Sequence, residues 1–406
     1  MRNEATRKFV IDHRFDDVRK LALQATAFSG SDIDLPWALT QIEGRRLAEK
    51  KIPSWLESGE IVYPPHLALE QCSSEATARY KAGLLSGISF VDLTGGFGVD
   101  FAFISGKFRE SHYVEKQKEL CEIAAMNFPV LGLTSARIIH ADATGYLKEM
   151  PPADAIFIDP GRRSSAGKKV FRIEDAEPDL LKLQDSLLEK TGTVLIKLSP
   201  MLDITLALKQ LKSISEVHVV SLENECKELL FLLKSGCASE PLITCVNLNN
   251  KNNQPAISFL QSQEKARHID YTSEIEQYIY EPNASLLKAG FHKGPADLYP
   301  IRKFHPDSHL YTSGQLISDF PGRIFRTEAH TSFNKKELKN FLCGTDKASL
   351  AIRNFPLSVA ELRKRLKIKE GGETCIFATT LANGKHVVIK VNRHCEGDSP
   401  KQSGKS

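Results

Sequence analysis

The stretch Phe90-Val-Asp-Leu-Thr-Gly-Gly-Phe-Gly-Val-Asp100 decides the fold class. In it, a short apolar strand ends at Asp92 and runs into a glycine-rich turn that opens a helix. Glycines in such a turn let the backbone approach a ligand closely, with the helix N-terminus behind it. The stretch therefore predicts a ligand-binding loop at the carboxyl end of a strand, with a bare structural turn as the alternative.

Beyond this turn, short apolar strands alternate with helix-length segments. This alternation predicts an α/β fold with a parallel, doubly wound, Rossmann-like sheet. The last two strands in this region lie too close together for a helical crossover, so we expect an antiparallel pair there. The predicted strands are 90–93, 112–115, 137–140, 155–158, 193–198, 217–222 and 228–234, with 242–247 and 256–260 as extensions of the edge.

The regions on either side of the sheet have different patterns. Residues 1–88 show helical spacing, and Ser73 and Ser74 are candidate caps for a helix that starts at Glu75. The C-terminal part is predicted as a small α+β region, with helices at 273–280, 284–288, 335–342 and 359–366. Asn383-Gly384 between two apolar runs predicts a hairpin. The sequence thus divides into 1–88, 89–270, 271–320, 321–395 and a polar, disordered tail, 396–406.

The turn itself discriminates between nucleotide cofactors. A dinucleotide fingerprint places Gly or Ala three positions after Gly98, where helix and strand pack closely. Phe101 occupies that position here. Together with Asp92, it argues against NAD and for S-adenosylmethionine (SAM), whose methionine part needs no phosphate cradle.

Acidic residues follow the next strands in order. Glu115 ends the second predicted strand, Asp142 follows the third, and Asp159-Pro160 ends the fourth. Open α/β sheets bind ligands at the carboxyl ends of their strands, where an acidic side chain can accept ribose hydroxyls. Each residue alone is equally well explained as a helix cap or a solvated strand end, but the ordered set favours a nucleoside cofactor.

These residues resemble class I SAM-dependent methyltransferases. The whole chain resembles a Bacteroidetes-type bacterial family in which a methyltransferase precedes a ferredoxin-like unit and a THUMP-like domain. The resemblance rests also on the motifs Glu70-Gln-Cys-Ser-Ser-Glu-Ala-Thr-Ala-Arg-Tyr-Lys81, Asp159-Pro-Gly-Arg-Arg163, Tyr278-Ile-Tyr-Glu-Pro-Asn283 and Arg353-Asn-Phe-Pro-Leu357.

The resemblance implies SAM as cofactor and a role for each motif residue. The turn would wrap the methionine part, Glu115 would bind the ribose, and Asp142 with Ala143 would lie beside the adenine. Residues 71–74 would border the same pocket. The implied cofactor-binding residues are Asp92, Thr94, Gly95, Gly96, Phe97, Gly98, Glu115, Asp142 and Ala143.

The segment Asp159-Pro160-Gly-Arg162-Arg163 lies where this superfamily has its catalytic loop. Enzymes that methylate amino groups often have Asp/Asn-Pro-Pro-aromatic there, whereas this chain lacks the second proline and the aromatic residue. Lys197-Leu-Ser-Pro200, after the fifth strand, has no cysteine for a covalent C5 mechanism. We therefore expect direct in-line transfer, with Asp159, Pro160, Arg162 and Arg163 as catalytic candidates.

The charge distribution points to a polyanionic partner. From residue 331 to 406 the chain has 15 lysines and arginines against 7 acidic residues, although its overall net charge is only +4. Five further basic residues and no acidic ones lie at 161–172; they would contact phosphates or, alternatively, pair with Glu174, Asp175 or Glu177. THUMP domains bind RNA, so the resemblance implies tRNA or rRNA as substrate, with no DNA expected. The alternatives are a protein or small-molecule methyltransferase and a non-catalytic protein that binds SAM and RNA.

Other classes of protein are disfavoured. The eight cysteines include no C-x-x-C pair, and no His/Cys/Asp cluster has metal-ligand spacing, so we expect no metal. No apolar stretch approaches the roughly 20 residues that span a bilayer. The charged N-terminus has no apolar signal segment, so we expect a cytoplasmic location and no membrane contact.

Overall fold

The computed structural model describes residues 3–28, 30–58, 60–162, 172–249, 255–372 and 374–393. The chain forms two compact units. The first consists of Met1–Val217 and Glu228–Pro241, and the second of His218–Lys227 and Leu242–Ser406.

The first unit begins with helices, as the sequence predicts. Most of their N-termini are capped by polar side chains: Asn3 accepts a hydrogen bond from the Thr6 amide, and Ser74 accepts one from the Thr77 amide. Such caps satisfy backbone donors that the first helical turn leaves free. These helices are α1 (Glu4–Asp12), α2 (Val18–Leu23), α3 (Leu35–Lys51), α4 (His66–Gln71) and α5 (Glu75–Ala82), with 3₁₀ turns at Ala25–Phe28 and Pro53–Leu56.

The parallel sheet of the first unit alternates strands with helices, which confirms the predicted doubly wound α/β class. The strands of this unit are β1 (Ser89–Asp92), β2 (Glu110–Glu115), β3 (Ala136–His140), β4 (Ala155–Ile158), β5 (Gly161–Arg162), β6 (Ala176–Glu177) and β7 (Thr193–Leu198), followed by β8 (Ile214–Leu222) and β9 (Glu225–Lys234), which the division between the units crosses. Strands β5 and β6 form a separate two-stranded ladder. The helices of this unit are α6 (Val99–Ser105), α7 (Lys118–Val130), α8 (Ala143–Glu149), α9 (Leu180–Lys190) and α10 (Ile204–Gln210), with a 3₁₀ turn at Ile173–Asp175.

The pairing of these strands brings the predicted site to one edge. In the first unit the order is β9-β7-β4-β1-β2-β3. Strand β1 pairs in parallel with β2 and β4, β2 with β3, and β4 with β7, whereas β9 runs antiparallel to β7. All four residues of β4 are buried, as expected for a strand covered on both faces. The carboxyl ends of β1, β2, β3, β4 and β7 therefore lie along one edge of the sheet.

Phe101 has a structural reason to replace the small residue of a dinucleotide fingerprint. It is fully buried on α6 and its ring stacks on Phe90, with ring centroids 5.9 Å apart, and on Phe128, with centroids 5.0 Å apart. Offset aromatic pairs at these separations stabilise a core beyond the area that they bury. The helix that follows the glycine turn is thus fixed to β1 and α7 by aromatic packing.

The second unit contains a largely antiparallel sheet with helices. Its strands are β10 (Leu242–Leu248), β11 (Ile257–Leu260), β12 (Tyr278–Pro282), β13 (Arg302–His305), β14 (Ser308–Ser313), β15 (Gly322–Ser332), β16 (Ser349–Arg353), β17 (Cys375–Thr380) and β18 (His386–Arg393). Its helices are α11 (Gln261–Ala266), α12 (Ala284–Ala289), α13 (Gly294–Leu298), α14 (Lys335–Phe341) and α15 (Val359–Leu366). The sheet order is β13-β14-β12-β15-β18-β17-β16. Strands β17 and β18 form the predicted Asn-Gly hairpin.

One prediction for this unit is wrong. The segment 273–280 was expected to be helical, but Tyr278–Pro282 is a strand that pairs with β14 on one side and β15 on the other. Ile279 and Tyr280 are both fully buried. A strand buried on both faces has no alternation of apolar and polar residues, so periodicity does not distinguish it from a buried helix.

Two sequence motifs of the second unit meet around a buried carboxylate. Glu281, on β12, is 1% exposed and accepts hydrogen bonds from Arg323 Nε at 2.9 Å and from Arg353 Nε at 2.7 Å. A buried carboxylate needs such partners, because an unpaired charge in the interior is strongly destabilising. The Tyr278–Pro282 and Arg353 motifs therefore hold adjoining segments of this unit together.

Two predictions fall on parts of the chain outside the described residues. The predicted disordered tail, 396–406, lies there. Most of the basic segment 161–172 lies there too.

Candidate active site

The glycine turn between β1 and α6 has two glycines in the left-handed region. Gly96 has φ +56° and Gly98 has φ +85°, which L side chains rarely adopt. A Cβ atom on Gly95 would lie within 2.6 Å of three ring carbons of Tyr113, and one on Gly98 would lie 3.0 Å from Phe128 Cε1. A Cβ atom on Gly96 would meet only the Thr94 carbonyl oxygen, at 3.9 Å. Two of the glycines thus make room for aromatic side chains, and only Gly96 borders open space.

Glu115 holds the turn in place from the end of β2. Its Oε2 accepts a hydrogen bond from the Gly96 amide at 2.9 Å, and its Oε1 accepts one from the Gln117 amide at 2.8 Å. The side chain is 7% exposed. Two backbone donors therefore fix the orientation of this carboxylate beside the glycine that borders open space.

Asp142 caps the helix after β3. Its Oδ1 accepts hydrogen bonds from the Thr144 amide at 2.9 Å and the Gly145 amide at 3.2 Å, so it is the N-cap of α8. The side chain is exposed, and Ala143 behind it is buried. The helix-cap interpretation of Asp142 holds, and one carboxylate oxygen, Oδ2, is left for other partners.

Asp92 and Thr94 connect the turn to the end of β4. Asp92 is 1% exposed, and its Oδ1 accepts a hydrogen bond from the Thr94 amide at 2.9 Å. Burial raises the pKa of Asp92 well above its usual value, and the nearby carboxylates of Asp100 and Asp159 raise it further. Thr94 Oγ1 in turn accepts a hydrogen bond from the Asp159 amide at 2.6 Å. One threonine thus fixes the glycine turn and the predicted catalytic residue relative to each other.

The remaining predicted site residues are Phe97, Pro160, Arg162 and Arg163. Phe97 is 4% exposed and packs against Trp55, with ring centroids 5.2 Å apart, in a core that includes the N-terminal helices. Pro160 is half-buried directly after Asp159. The backbone of Arg162 pairs with Ala176 in a short antiparallel ladder. The Arg162 side chain and the whole of Arg163 lie outside the described residues.

Two of the acidic residues offered as alternative partners for the basic loop have other partners. Glu177 forms a 3.0 Å ion pair with Lys116, and Glu174 Oε1 accepts a hydrogen bond from Gln210 Nε2. These contacts fix one side of the β5–β6 ladder.

A buried group of charged side chains lies beside Asp159, and we call it the charge cluster. Lys197, on β7, forms an ion pair with Asp159 Oδ2, and its Nζ lies 3.8 Å from Asp100 Oδ2. Lys81, on α5, lies 3.1 Å from Asp100 Oδ1 and donates to both oxygens of Glu228, at 2.7 and 2.6 Å. The charge cluster thus runs as an alternating chain of signs from β9 to the end of β4. Its members are Lys81, Asp100, Asp159, Lys197 and Glu228.

Ser73 links the charge cluster to the motif before the first strand. Its hydroxyl donates to Asp100 Oδ2 at 2.7 Å and lies 3.2 Å from Lys81 Nζ. Residues 71–74 were expected to border the pocket, and Ser73 contacts a residue of the helix that opens at the glycine turn. The quoted motif ending in Lys81 therefore contributes two polar side chains to this site.

Mutual electrostatics favour the charged forms of Lys197 and Asp100, as the pKa shifts of both groups show, whereas burial disfavours the charged form of Glu228. Burial opposes the charged form of Lys197, but the carboxylates of Asp159 and Asp100 raise the pKa of this lysine above its usual value. Burial would likewise raise the pKa of Asp100, yet the Lys81 and Lys197 ammonium groups lower it below its usual value. For Glu228, burial prevails over Lys81, so the pKa of this carboxyl is raised.

Sequence reasoning missed most of the charge cluster, although weak signals exist. Lys81 follows Thr77 and Ala78 by four and three positions and is the cation on the buried face of α5. Lys197 interrupts an otherwise apolar strand. Both patterns mark a lysine that the fold must bury, and a buried lysine needs an acidic partner. The identity of that partner is not readable from spacing, because Glu228 lies 147 positions after Lys81.

Comparison with solved structures identifies the family. A presumed methyltransferase from Porphyromonas gingivalis W83 matches with 35% sequence identity and a TM-score of 0.84. The match covers 96% of this chain and 98% of that one. This chain belongs to the same family. The resemblance stated from the motifs is thereby confirmed, and so is the Rossmann-like methyltransferase fold.

Family models match the C-terminal part of this family member. A ferredoxin-like domain model matches residues 278–321, and a THUMP domain-like model matches residues 322–393. Both matched segments lie within the second unit. No curated protein sequence matches the chain.

More distant structures match a smaller share of the chain. An rRNA methylase from Streptococcus thermophilus has 17% identity and a TM-score of 0.30, over 39% of this chain and 94% of that one. A presumed methyltransferase from Streptococcus mutans in complex with SAH has 16% identity and a TM-score of 0.30, over 39% of this chain and 96% of that one. At these values neither match bears on the substrate or cofactor of the family member described here.

The described residues contain neither a candidate metal site nor a candidate membrane span. Within the ranges that the structure describes, no group of three or more His, Cys, Asp or Glu side chains is placed to hold a metal ion. In the same ranges, no helix combines the length and the apolar composition that crossing a bilayer requires.

Proposed function

We propose that this chain is a SAM-dependent methyltransferase that acts on RNA, either tRNA or rRNA, by direct in-line transfer without a cysteine adduct. Its family supports the reaction class. The observation that carries the proposal is the connection of the glycine turn to Asp159 through Thr94, together with the Glu115 carboxylate bound to Gly96. This connection sets a ligand-binding turn and a catalytic candidate at a fixed distance at the carboxyl edge of the sheet.

The residues at this edge fit a nucleoside with a charged tail. Gly96 borders open space, so a ligand can approach its backbone. Each oxygen of Glu115 accepts one backbone hydrogen bond and, having two lone pairs, can accept a ribose hydroxyl as well. The second oxygen of Asp142 can accept from an adenine amino group. SAM, when bound, supplies a methyl group on a positively charged sulfur.

Asp159 is suited to meet the substrate. Its side chain is 35% exposed although it is paired with Lys197, so one face of the carboxylate is open to a ligand. The Thr94 hydroxyl fixes its backbone and Lys197 fixes its carboxylate. Methyl transfer depends mainly on such positioning of the nucleophile, because holding two reactants in line removes much of the entropic barrier.

A basic surface on the second unit supports RNA as the substrate. Helices α14 and α15 bury Leu338, Leu362 and Leu366 in one apolar cluster, so they pack on the same face of the sheet. The guanidinium of Arg365 lies 4.5 Å from the centre of the Phe333 ring, just before α14. We call the exposed cations of these helices and their flanks the basic face. Its members are Lys335, Lys336, Lys339, Lys364, Arg365, Lys367 and Lys369.

Two acidic side chains on the same helices are held by hydroxyl and backbone groups beside them rather than by the cations of the basic face. Glu337 accepts hydrogen bonds from the Ser332 and Thr331 hydroxyls, which lower its pKa to about 2. Glu361 completes the capping box with Ser358 at the start of α15. Both carboxylates are thus engaged at helix N-termini, and the cations beyond them remain available for phosphates.

The proposal is tested by methyl transfer to RNA. The full-length protein is incubated with radiolabelled SAM and total RNA from cells that lack its gene, and in parallel with protein extract and a small-molecule fraction from the same cells. We expect label in one RNA size class. We expect Asp159→Asn to lose label transfer while it still binds SAM in calorimetry, because the fold and the Glu115 site remain.

A matched control is Asp12→Asn, which changes an exposed aspartate on α1. This variant should transfer label at the wild-type rate. Label in protein or small molecules, with none in RNA, would assign the alternative substrates and refute the RNA proposal. SAM binding without label in any fraction would favour the non-catalytic alternative.

A further inference from the structure

The charge cluster contains lysine ammonium groups next to the predicted catalytic residue. An enzyme that methylates amino groups needs only hydrogen-bond acceptors at this position. A neutral amino nucleophile becomes more positive as it attacks a methyl group, so an adjacent ammonium opposes the reaction. A hydroxyl nucleophile must instead lose a proton, and a nearby cation stabilises the negative charge that develops on its oxygen. Lys197 lies directly beside Asp159. The nature of this pair therefore bears on which atom is methylated.

Exposure selects the members of the charge cluster that a substrate can touch. The Asp159 side chain is 35% exposed and that of Lys197 is 14% exposed. Lys81 is fully buried, and Glu228 and Asp100 are 3% and 10% exposed at the side chain. An ammonium carries three donors, and Asp159 takes one donor of Lys197. At 3.8 Å the Asp100 oxygen is too distant for a hydrogen bond, so Lys197 has donors left for a substrate oxygen.

The charge cluster as a whole can also take up a proton. It combines two ammonium groups with three carboxylates, which leaves a net charge of −1 when all five are ionised. The raised pKa of Lys197 keeps this lysine charged. Asp159 is therefore the exposed base, and Lys197 is the exposed hydrogen-bond donor beside it.

We infer that the methyl acceptor is a hydroxyl oxygen, and that within RNA it is the ribose 2′-hydroxyl. This inference rests on the proposed function, since it takes RNA as the substrate. Inside an RNA strand the 3′ and 5′ oxygens are bound in phosphodiesters, so the 2′-hydroxyl is the free hydroxyl of each nucleotide. It is both a donor and an acceptor. It can therefore donate to Asp159 and accept from Lys197 at the same time.

The step balances with the groups named. The hydroxyl oxygen contributes a lone pair to a new O–CH₃ bond, and the S–CH₃ bond breaks with its electron pair left on sulfur. The hydroxyl proton passes to the free oxygen of Asp159 and then to solvent. Lys197 donates to the substrate oxygen while the O–H bond breaks, and it stays protonated throughout. Lys81 acts as a positioning residue, because it pairs with both Glu228 and Asp100 behind the reacting pair.

The first test identifies the methylated position. RNA labelled by the full-length protein is hydrolysed in alkali, which requires a free 2′-hydroxyl next to each phosphodiester bond. A 2′-O-methyl group blocks that cleavage, so we expect the label in alkali-resistant dinucleotides. Label in ordinary mononucleotides would place the methyl group on a base and overturn this inference, while the proposed RNA methyltransferase function would stand. No label in RNA at all would contradict the proposed function itself.

The second test concerns Lys197. Lys197→Ala should lower kcat by about 10²- to 10³-fold, the typical loss when one donor to a developing oxyanion is removed. The KM of this variant for RNA should be unchanged, because we expect RNA binding to depend on the basic face and not on Lys197. Lys197→Arg, which keeps the positive charge, should recover part of the rate. RNA binding in a filter assay and SAM binding by calorimetry should match the wild type.

Lys212→Ala is the matched control, because Lys212 forms a surface pair with Asp185 in which both side chains are more than half exposed. It should transfer methyl groups at the wild-type rate. A Lys197→Ala variant that folds and keeps its full kcat would overturn the role of Lys197. So would a variant whose loss is entirely in KM, since a substrate-binding or purely structural role would explain it.

Discussion

Replacing Lys81 by methionine tests whether the charge cluster is organised as described. Methionine has a similar length and fills the volume of the lysine stem, so the change removes the charge with little change in packing. Lys81 is fully buried, and it donates to both oxygens of Glu228 and to the Ser73 hydroxyl. The variant leaves Glu228, which is 2% exposed, without its main counter-ion.

The expected loss of stability follows from this burial. Breaking a buried ion pair by removing one partner typically costs about 3–5 kcal/mol, because the other charge stays uncompensated in the interior. Lys197 also lies near Glu228 and Asp100 and compensates part of the charge. We therefore expect the free energy of unfolding of the first unit to fall by about 3 kcal/mol at neutral pH, the lower end of that range.

The assay can observe the first unit alone. The chain has two tryptophans, Trp37 and Trp55, and both lie in that unit. Trp55 is 3% exposed and contacts the Phe97 ring, so its fluorescence changes when the unit unfolds. Urea unfolding followed by tryptophan fluorescence therefore gives the required midpoint and slope.

The loss should depend on pH in a defined direction. Burial raises the pKa of Glu228 in the folded wild type, and removal of Lys81 should raise it further. A raised carboxyl pKa means that the folded state binds more protons than the unfolded state, so stability falls as the pH rises. The difference between variant and wild type should therefore be largest near pH 8 and shrink as the pH falls below the folded pKa, where Glu228 is neutral.

Two companion variants make the result decisive. Lys81→Met combined with Glu228→Gln should recover most of the lost stability, because no isolated charge remains. Lys212→Met, in an exposed pair, should change stability by no more than about 1 kcal/mol. A single Lys81→Met variant within about 1 kcal/mol of wild type at every pH, with no recovery in the double variant, would refute the described organisation of the cluster.

Two further predictions concern the glycine turn and the titration of Lys197. Gly95→Ala should destabilise the first unit by about 1–3 kcal/mol through overpacking, as measured by the same urea unfolding. Gly96→Ala should lower the stability of the first unit by about 1–2 kcal/mol because of the positive φ at this position, and it should mainly weaken SAM binding in calorimetry. Equal effects of the Gly95 and Gly96 variants on SAM affinity would contradict the roles assigned to these glycines. In ¹³C NMR the Lys197 side chain should stay protonated above the roughly 10.4 of a free lysine, and Asp159→Asn should lower that midpoint. Because the pKa of Lys197 is raised in the folded state, this ammonium stabilises the fold below pH ~10.4, and the stabilisation is lost as the pH rises through the folded-state pKa. A titration midpoint of Lys197 equal to that of free lysine would contradict its pairing with Asp159.

Local pattern predicted the parallel sheet well, because its strands are short, apolar and bounded by glycine or helix signals. Strands 155–158 and 193–198 have the bounds predicted for them, and no bound of the others differs by more than three residues. The prediction of a helix at 273–280 was wrong because the structure there depends on distant segments. There, Tyr278–Pro282 is a strand because β14 and β15 pair with its backbone from both sides, and these partners come later in the sequence.

In the candidate active site, too, some features follow from local sequence and others follow only from tertiary packing. The sequence by itself determined the glycine turn and the acidic residues at the strand ends, since each depends on neighbouring residues and on the register of a single strand. Its motifs also carried the resemblance to the family. Only the tertiary structure decided that Gly95 and Gly98 accommodate aromatic rings and that Phe97 lies in the core. It also decided that Lys81 meets Glu228, because pairing of buried charges is set by packing of distant segments, and no local spacing encodes it.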